Sequence, residues 1–178
     1  MSYGKLNPHQ REVLNVVIQN RQVTDLGAGD CELAHELLRL GARGVLAVDK
    51  TFQPRVESIQ YIQSYFNAYT EAIETAFLSW PPNWNCPGLI DLLDRADVVA
   101  YLGKNTDGTA CGYSLLFEYL VSREVVAYVP DRRNTLIVYG SGRGKRAPLG
   151  EEYAGLNTED WFAYEDVENL CEKINRSS

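Results

Sequence analysis

The chain has no run approaching the roughly 18 apolar residues that a membrane-spanning helix needs. Its start, MSYGKLNPHQREVLN, lacks the apolar stretch of a secretory signal. Four cysteines, Cys31, Cys86, Cys111 and Cys171, stand far apart with no CxxC pair, which argues against both a zinc site and a disulfide framework. Only two histidines are present, His9 and His35, and a solvated side chain is the ordinary reading of each. No internal repeat or low-complexity tract is evident. These absences point to a reduced, cytoplasmic protein without a metal site and without a membrane partner. At 178 residues, 45% apolar and 23% charged, the sequence suits one globular domain with little room for insertions.

Charge is unevenly distributed along the chain. Residues 151–178 carry eight acids against two bases, whereas residues 1–150 carry sixteen acids against fifteen bases. Within the near-neutral part, residues 131–150 hold Arg132, Arg133, Arg143, Lys145 and Arg146 against Asp131 alone. The overall balance of −7 argues against general, charge-driven nucleic-acid binding, while leaving room for a local phosphate contact. The acidic tail either lies against the basic loop or forms a second solvated surface.

What is present is organised around Val23–Asp49, VTDLGAGDCELAHELLRLGARGVLAVD. Val23 to Leu26 is a short apolar strand and Gly27-Ala28-Gly29 a turn. Leu33, Leu37, Leu38 and Leu40 follow at helical spacing. Gly41 and Gly44 end that helix and release the buried-strand run Gly44–Val48, closed by Asp49. One βαβ unit of this kind favours a parallel sheet with ligands at its carboxyl edge. Glycines in the turn let backbone approach a ligand, and an acid about twenty residues after the second glycine can accept from ribose hydroxyls. A nicotinamide-binding fingerprint wants a further glycine at position 32, where this chain has Glu32.

Asp25-Leu26-Gly27-Ala28-Gly29-Asp30-Cys31 resembles the first motif of the class I S-adenosylmethionine-dependent methyltransferases, acid-x-Gly-x-Gly-x-Gly, with Cys31 in the last glycine's place. The resemblance implies an α/β fold: an open, doubly wound, mostly parallel Rossmann-like sheet with a C-terminal antiparallel hairpin. It extends over about residues 8–140, so that 1–150 would be the core and 151–178 an acidic helical tail. It implies S-adenosylmethionine as cofactor, with Gly27, Ala28 and Gly29 flanking the methionine part, Asp25 ordering its ammonium and Asp49 holding the ribose. Lys50 and Ser79 join the cofactor set, and Phe52 is the substitute adenine contact.

Elsewhere, Asn7-Pro8 caps a helix bearing Val13, Leu14, Val17 and Ile18, expected to pack near the glycine turn. Val56, Ile59, Ile62 and Phe66 suggest one long helix over Pro54–Tyr69, leaving the third strand missing or vestigial. Thr75–Ser79 is the next strand, followed by a helix over Cys86–Arg95, a strand over Asp97–Leu102 and a helix over Gly112–Ser122. Val125–Val129 and Thr135–Tyr139 are joined by five residues, a link that permits only an antiparallel pair. Asn157 or Thr158 starts a last helical region.

Ser79-Trp80-Pro81-Pro82-Asn83-Trp84 lies where such enzymes face the methyl acceptor, and amino-methylating members read Asp/Asn/Ser-Pro-Pro-aromatic there. A branch with Ser/Cys-Trp-Pro-Pro and then Tyr-Ile-Gly-Glu is also similar, with Lys104 replacing the acid. Trp80, Pro81, Pro82, Trp84, Lys104 and Asn105 are therefore the expected substrate contacts, on a small-molecule or nucleotide-like, planar acceptor. Two flat rings beside stiff prolines favour stacking; a ring capping the core is the alternative. Methyl transfer needs alignment more than a base, so the lack of a catalytic triad does not oppose it. A methyltransferase-fold domain that acts by cofactor or protein binding alone is the competing reading.

Overall fold

The computed structural model describes residues 4–51, 58–104, 111–120, 122–131 and 134–141. Helix α1 (Pro8–Ile18) begins as its sequence demands. The Asn7 side chain accepts from the Gln10 amide, and the Gln10 side chain accepts in return from the Asn7 amide, closing a capping box. Its face of Val13, Leu14, Val17 and Ile18 is fully buried. Each such side chain contributes on the order of 1.5–3 kcal/mol, which holds a helix of only eleven residues in place.

Strand β1 (Gln22–Leu26), helix α2 (Glu32–Arg39) and strand β2 (Gly44–Asp49) form the βαβ unit. Then come β3 (Gln60–Gln63), a short 3-10 turn at Phe66–Ala68, β4 (Thr75–Ser79), α3 (Leu89–Asp94), β5 (Val98–Gly103), α4 (Ser114–Leu120), β6 (Val125–Val129) and β7 (Thr135–Tyr139). The strands make one sheet in the order β3-β2-β1-β4-β5-β7-β6. The first five are parallel, and β7 inserts antiparallel between β5 and β6. Strand direction therefore changes only at the hairpin anticipated from its five-residue link. The order turns back between β1 and β4, the position where an open parallel sheet leaves a crevice at its carboxyl edge.

Alternation along the strands divides the core into two layers. Val23, Val45, Ala47, Phe77, Ala100 and Leu102 pack with α1 and α2. Val48, Ala76, Leu78, Val99 and Tyr101 pack with α3 and α4 on the other side. The ring of Phe117 meets Tyr101 edge-on, with centroids 6.0 Å apart. Under α4 the chain turns on Arg123, only 6% exposed. Its guanidinium donates to the carbonyls of Gly140, Leu93, Ala96 and Asp97 and to the Tyr119 hydroxyl. One side chain thus ties the end of α3, the start of β5 and the end of β7. Among the described residues no helix is long and apolar enough to cross a membrane.

The helix expected over Pro54–Tyr69 is not what Gln60–Gln63 form. These four residues pair in parallel with β2, Leu46 opposite Gln60 through Asp49 opposite Gln63. The third strand is therefore present, short and on the sheet edge. The spacing of Ile59, Ile62 and Phe66 looks helical, but a four-residue strand is too brief to show its own period, and edge pairing decides. Helices α3 and α4 are shorter than their apolar runs suggested, because Gly88 (φ +85°) and Gly112 (φ +74°) turn the chain just before them. Phe52, Asn105, the basic loop from Arg143 and the whole acidic tail lie outside the described residues.

Candidate functional site

The glycine turn leaves β1 with Gly27 and Gly29 both at positive φ, +79° and +55°. Cys31, where the motif would have its last glycine, also sits at φ +63°. The backbone there keeps the glycine-like conformation, at a cost of about 1–3 kcal/mol for a residue with a side chain. The turn is pinned to the neighbouring strand: the Gly27 amide donates to the Val48 carbonyl at 2.8 Å. The Gly29 amide donates to Asp49 Oδ2 at 2.9 Å. Oδ1 of the same carboxylate accepts from the Thr51 amide and hydroxyl at 2.9 and 2.8 Å. The acid twenty residues after Gly29 thus fastens the turn while keeping a lone pair on Oδ2 for a ligand.

Asp25, at the end of β1, is the electrostatic centre. It is 1% exposed and its Oδ2 has no hydrogen-bond partner. Burial, and then the negative charges of Asp49 and Asp30, push its pKa up from 3.8 to about 7. A carboxylate so placed, facing a cavity, favours a cationic guest that would restore its charged form. Burial likewise raises the Cys31 thiol, with Asp25 adding to it.

Two cavities meet at Gly27. The first, about 480 Å³, lies between Asp49, Lys50 and the Ser64–Asn67 segment on one side and Pro82 with Trp84–Pro87 on the other. The second, about 250 Å³, is enclosed by Asp25, the Gly27–Asp30 turn, Leu33, Ser79, Trp80 and the incoming Gly4. Gly4 is packed so closely that a Cβ there would meet Leu33 Cδ1 at 2.4 Å and Ser79 Oγ at 3.2 Å. The segment preceding α1, rather than α1 itself, closes this side.

The structure brings together Asp25, Gly27, Ala28, Gly29 and Ser79 in the smaller cavity and Asp49 and Lys50 in the larger. The two tryptophans are divided between them. Trp80, half-buried and at φ +46°, walls the smaller cavity and donates from its indole nitrogen to Asn134 Oδ1 at 2.7 Å. Trp84, 62% exposed, walls the larger one with Pro82. Pro81 is buried, and its carbonyl accepts from the Gly112 amide. Lys104 is exposed and lines neither cavity; its main chain binds the Tyr101 hydroxyl and Cys111 Sγ instead. His9 lies beside Glu12 on the surface, and His35 faces a groove with Glu32, Glu36 and Arg39.

Sequence reasoning missed Ser64, Tyr65, Phe66 and Asn67, which wall the larger cavity immediately after β3. No period announced them: Tyr61 and Ile62 are adjacent between two glutamines, and the apparent helical spacing runs through them. Cys86 was also missed; it lines the same wall, with burial holding its thiol pKa up.

No protein-family model and no curated protein matches the chain. Solved structures do. The ribosomal protein L11 methylase of Lactobacillus delbrueckii subsp. bulgaricus aligns with a TM-score of 0.53 at 16% identity, over 76% of this chain and 79% of that one. The N-methyltransferase NodS of Bradyrhizobium japonicum, in complex with S-adenosyl-L-homocysteine, gives 0.55 at 12% over 75% and 88%. A Burkholderia thailandensis 1,6-didemethyltoxoflavin N1-methyltransferase, with 1,6-didemethyltoxoflavin and S-adenosylhomocysteine bound, gives 0.55 at 14% over 74% and 78%.

Proposed function

We propose that this chain, which has the fold of the class I S-adenosylmethionine-dependent methyltransferases, binds S-adenosylmethionine and transfers its methyl group to a planar acceptor. The observation behind the reading is Asp25: a buried carboxyl with an unpartnered oxygen, facing a cavity beside a glycine turn. A methionine ammonium is the complement such a group calls for. Asp49 stands across Gly27, with capacity left to accept from ribose hydroxyls. The apolar walls at Tyr65–Phe66 and Cys86–Pro87 suit a flat purine ring. The residues present fit the cofactor, with the methionine part in the smaller cavity and the adenosine in the larger.

When bound, this cofactor supplies a methyl group on a cationic sulfur, already activated for attack by a nucleophile. The chain's contribution is alignment and exclusion of water. Asp25 and the Gly27–Gly29 backbone fix one end of the donor and Asp49 the other. Ser79 and Pro82, at the exit of β4, line the smaller and the larger cavity respectively. Trp84 offers an exposed ring against which a planar acceptor can stack, worth about 1–3 kcal/mol.

A thermal-shift series with S-adenosylmethionine, S-adenosylhomocysteine and NAD tests the reading. The first two should raise Tm and NAD should not. No shift with either sulfur compound at millimolar concentration would remove the cofactor assignment. Binding without methyl transfer to any planar acceptor would leave a cofactor-binding domain.

A further inference from the structure

Trp80 is held in an unusual way. Its backbone is in the left-handed region at φ +46°, where a bulky side chain is rarely found. Its amide donates to the Leu102 carbonyl at 2.8 Å, which fixes the main chain against β5. The direction of the ring is then set from 54 residues away. Asn134, 3% exposed in the link between β6 and β7, accepts the indole N–H on Oδ1 at 2.7 Å. Its Nδ2 donates to the Lys5 carbonyl at 3.1 Å. Only this orientation of the amide satisfies both neighbours, since an indole nitrogen is purely a donor and a carbonyl purely an acceptor. Lys5 follows Gly4, which lines the smaller cavity together with Trp80.

The Asn134 side chain therefore bonds Trp80 and the residue that follows Gly4, so tying together two parts of the smaller cavity's lining, and itself lines neither cavity. We propose that Asn134 is a positioning residue for the methyl-donor site: it fixes Trp80 and the Gly4–Lys5 segment at the separation that fits the methionine part of the cofactor. The inference rests on the reading of the smaller cavity given above. The anchor itself is rigid independently of its side chain. The Asn134 carbonyl accepts from Gln10 Nε2 at 2.9 Å, as does the Val129 carbonyl at 3.3 Å. Asn7 Nδ2 also reaches Asp131 Oδ2 at 2.9 Å. Truncating the Asn134 side chain leaves these backbone and helix contacts in place. The closing hairpin of the sheet would thus act on the site through one amide group.

The test is a double-mutant cycle on S-adenosylhomocysteine affinity, measured by calorimetry on the full chain, with N134A, W80F and the double variant. Phenylalanine keeps a ring at position 80 and lacks the N–H. Each single change should weaken binding by about 5–20-fold, and the double variant should be little weaker than N134A. Independent, additive losses, or unchanged affinity in N134A, would overturn the proposal. A second arm needs no ligand. With W84F and W161F introduced so that Trp80 is the remaining tryptophan, N134A should shift its emission to the red and increase acrylamide quenching about twofold or more. Identical quenching in N134A and its parent would overturn the proposal whatever the ligand result. If the parent binds no S-adenosylhomocysteine, the cofactor reading and the donor-site role fall together, and the quenching arm then decides only whether Asn134 holds the Trp80 ring. If N134A does not fold, N134S replaces it in both arms with the same expected direction.

Discussion

Replacing Asp25 with asparagine should make the protein more stable and a poorer binder at once. The carboxyl has a pKa of about 7 in the folded chain against 3.8 when unperturbed. Between those values the folded state holds a proton that the unfolded state has released, so stability falls as pH rises through this window. It is fully retained below about pH 4 and the loss is complete above about pH 7. The whole penalty is about 4 kcal/mol, taking 1.36 kcal/mol for each unit between 3.8 and about 7. An asparagine side chain cannot titrate, so D25N should escape it. In urea unfolding, the variant's advantage should grow by about 3 kcal/mol between pH 5 and pH 8, since about two units of the window lie in that interval. Carboxylates other than Asp49 and Asp30, which face Asp25, cancel in the difference. Affinity for S-adenosylmethionine should move the opposite way, weakening about 10–100-fold at pH 7.5 through loss of a charged partner for the ammonium. In the parent, affinity should rise with pH up to about 7 and then level off, because the cation prefers the ionised acid. A stability difference that does not change with pH would refute the burial argument. Gained stability with unchanged affinity would refute the role assigned to Asp25.

Asp49→Ala should lower S-adenosylhomocysteine affinity about 10–100-fold by calorimetry, from the lost ribose acceptor and the freed Gly29 amide. Trp84→Ala should leave the free energy of urea unfolding within about 1 kcal/mol of the parent, because the ring is 62% exposed. Its effect should appear in ligand affinity or acceptor turnover. Trp80→Ala should cost stability as well, by about 2–4 kcal/mol, because a half-buried ring and its bond to Asn134 are lost together. Arg123→Met should destabilise the fold by about 3–5 kcal/mol in urea unfolding, since four main-chain carbonyls each lose a buried charged donor. The folded fraction should bind S-adenosylhomocysteine as the parent does, which separates this clamp from the site.

Local signals made much of the molecule legible. Asn7-Pro8 fixes the start of α1 because capping chemistry acts within three residues. The five-residue link forces β6 and β7 antiparallel because a parallel return would need a longer crossover. Gly27 and Gly29, with Asp25 before them and Asp49 twenty residues on, are readable because turn conformation, strand length and helix length set their separation. These are constraints carried by chain neighbours, and the structure keeps even the left-handed backbone at Cys31 where the motif's glycine is gone.

Other features exist only once distant segments meet. Gln60–Gln63 become a strand because the open edge of β2 offers hydrogen bonds that a four-residue sequence cannot announce. That pairing sets Ser64–Asn67 opposite Trp84–Pro87 and so creates the larger cavity. Trp80 and Trp84 are four residues apart in sequence, yet Trp80 turns through a left-handed backbone and the two rings wall different cavities. Asn134 reaching Trp80, and Arg123 gathering the carbonyls of Leu93, Ala96, Asp97 and Gly140, depend on strand order. The pKa of Asp25 depends on depth of burial and on carboxylates brought near by folding. The order of most elements and the place of the glycine turn were written in the chain, because they follow from local sterics and periodicity. Which surfaces face one another across that turn was settled by folding, because desolvation and long-range hydrogen bonding have no counterpart in the unfolded chain.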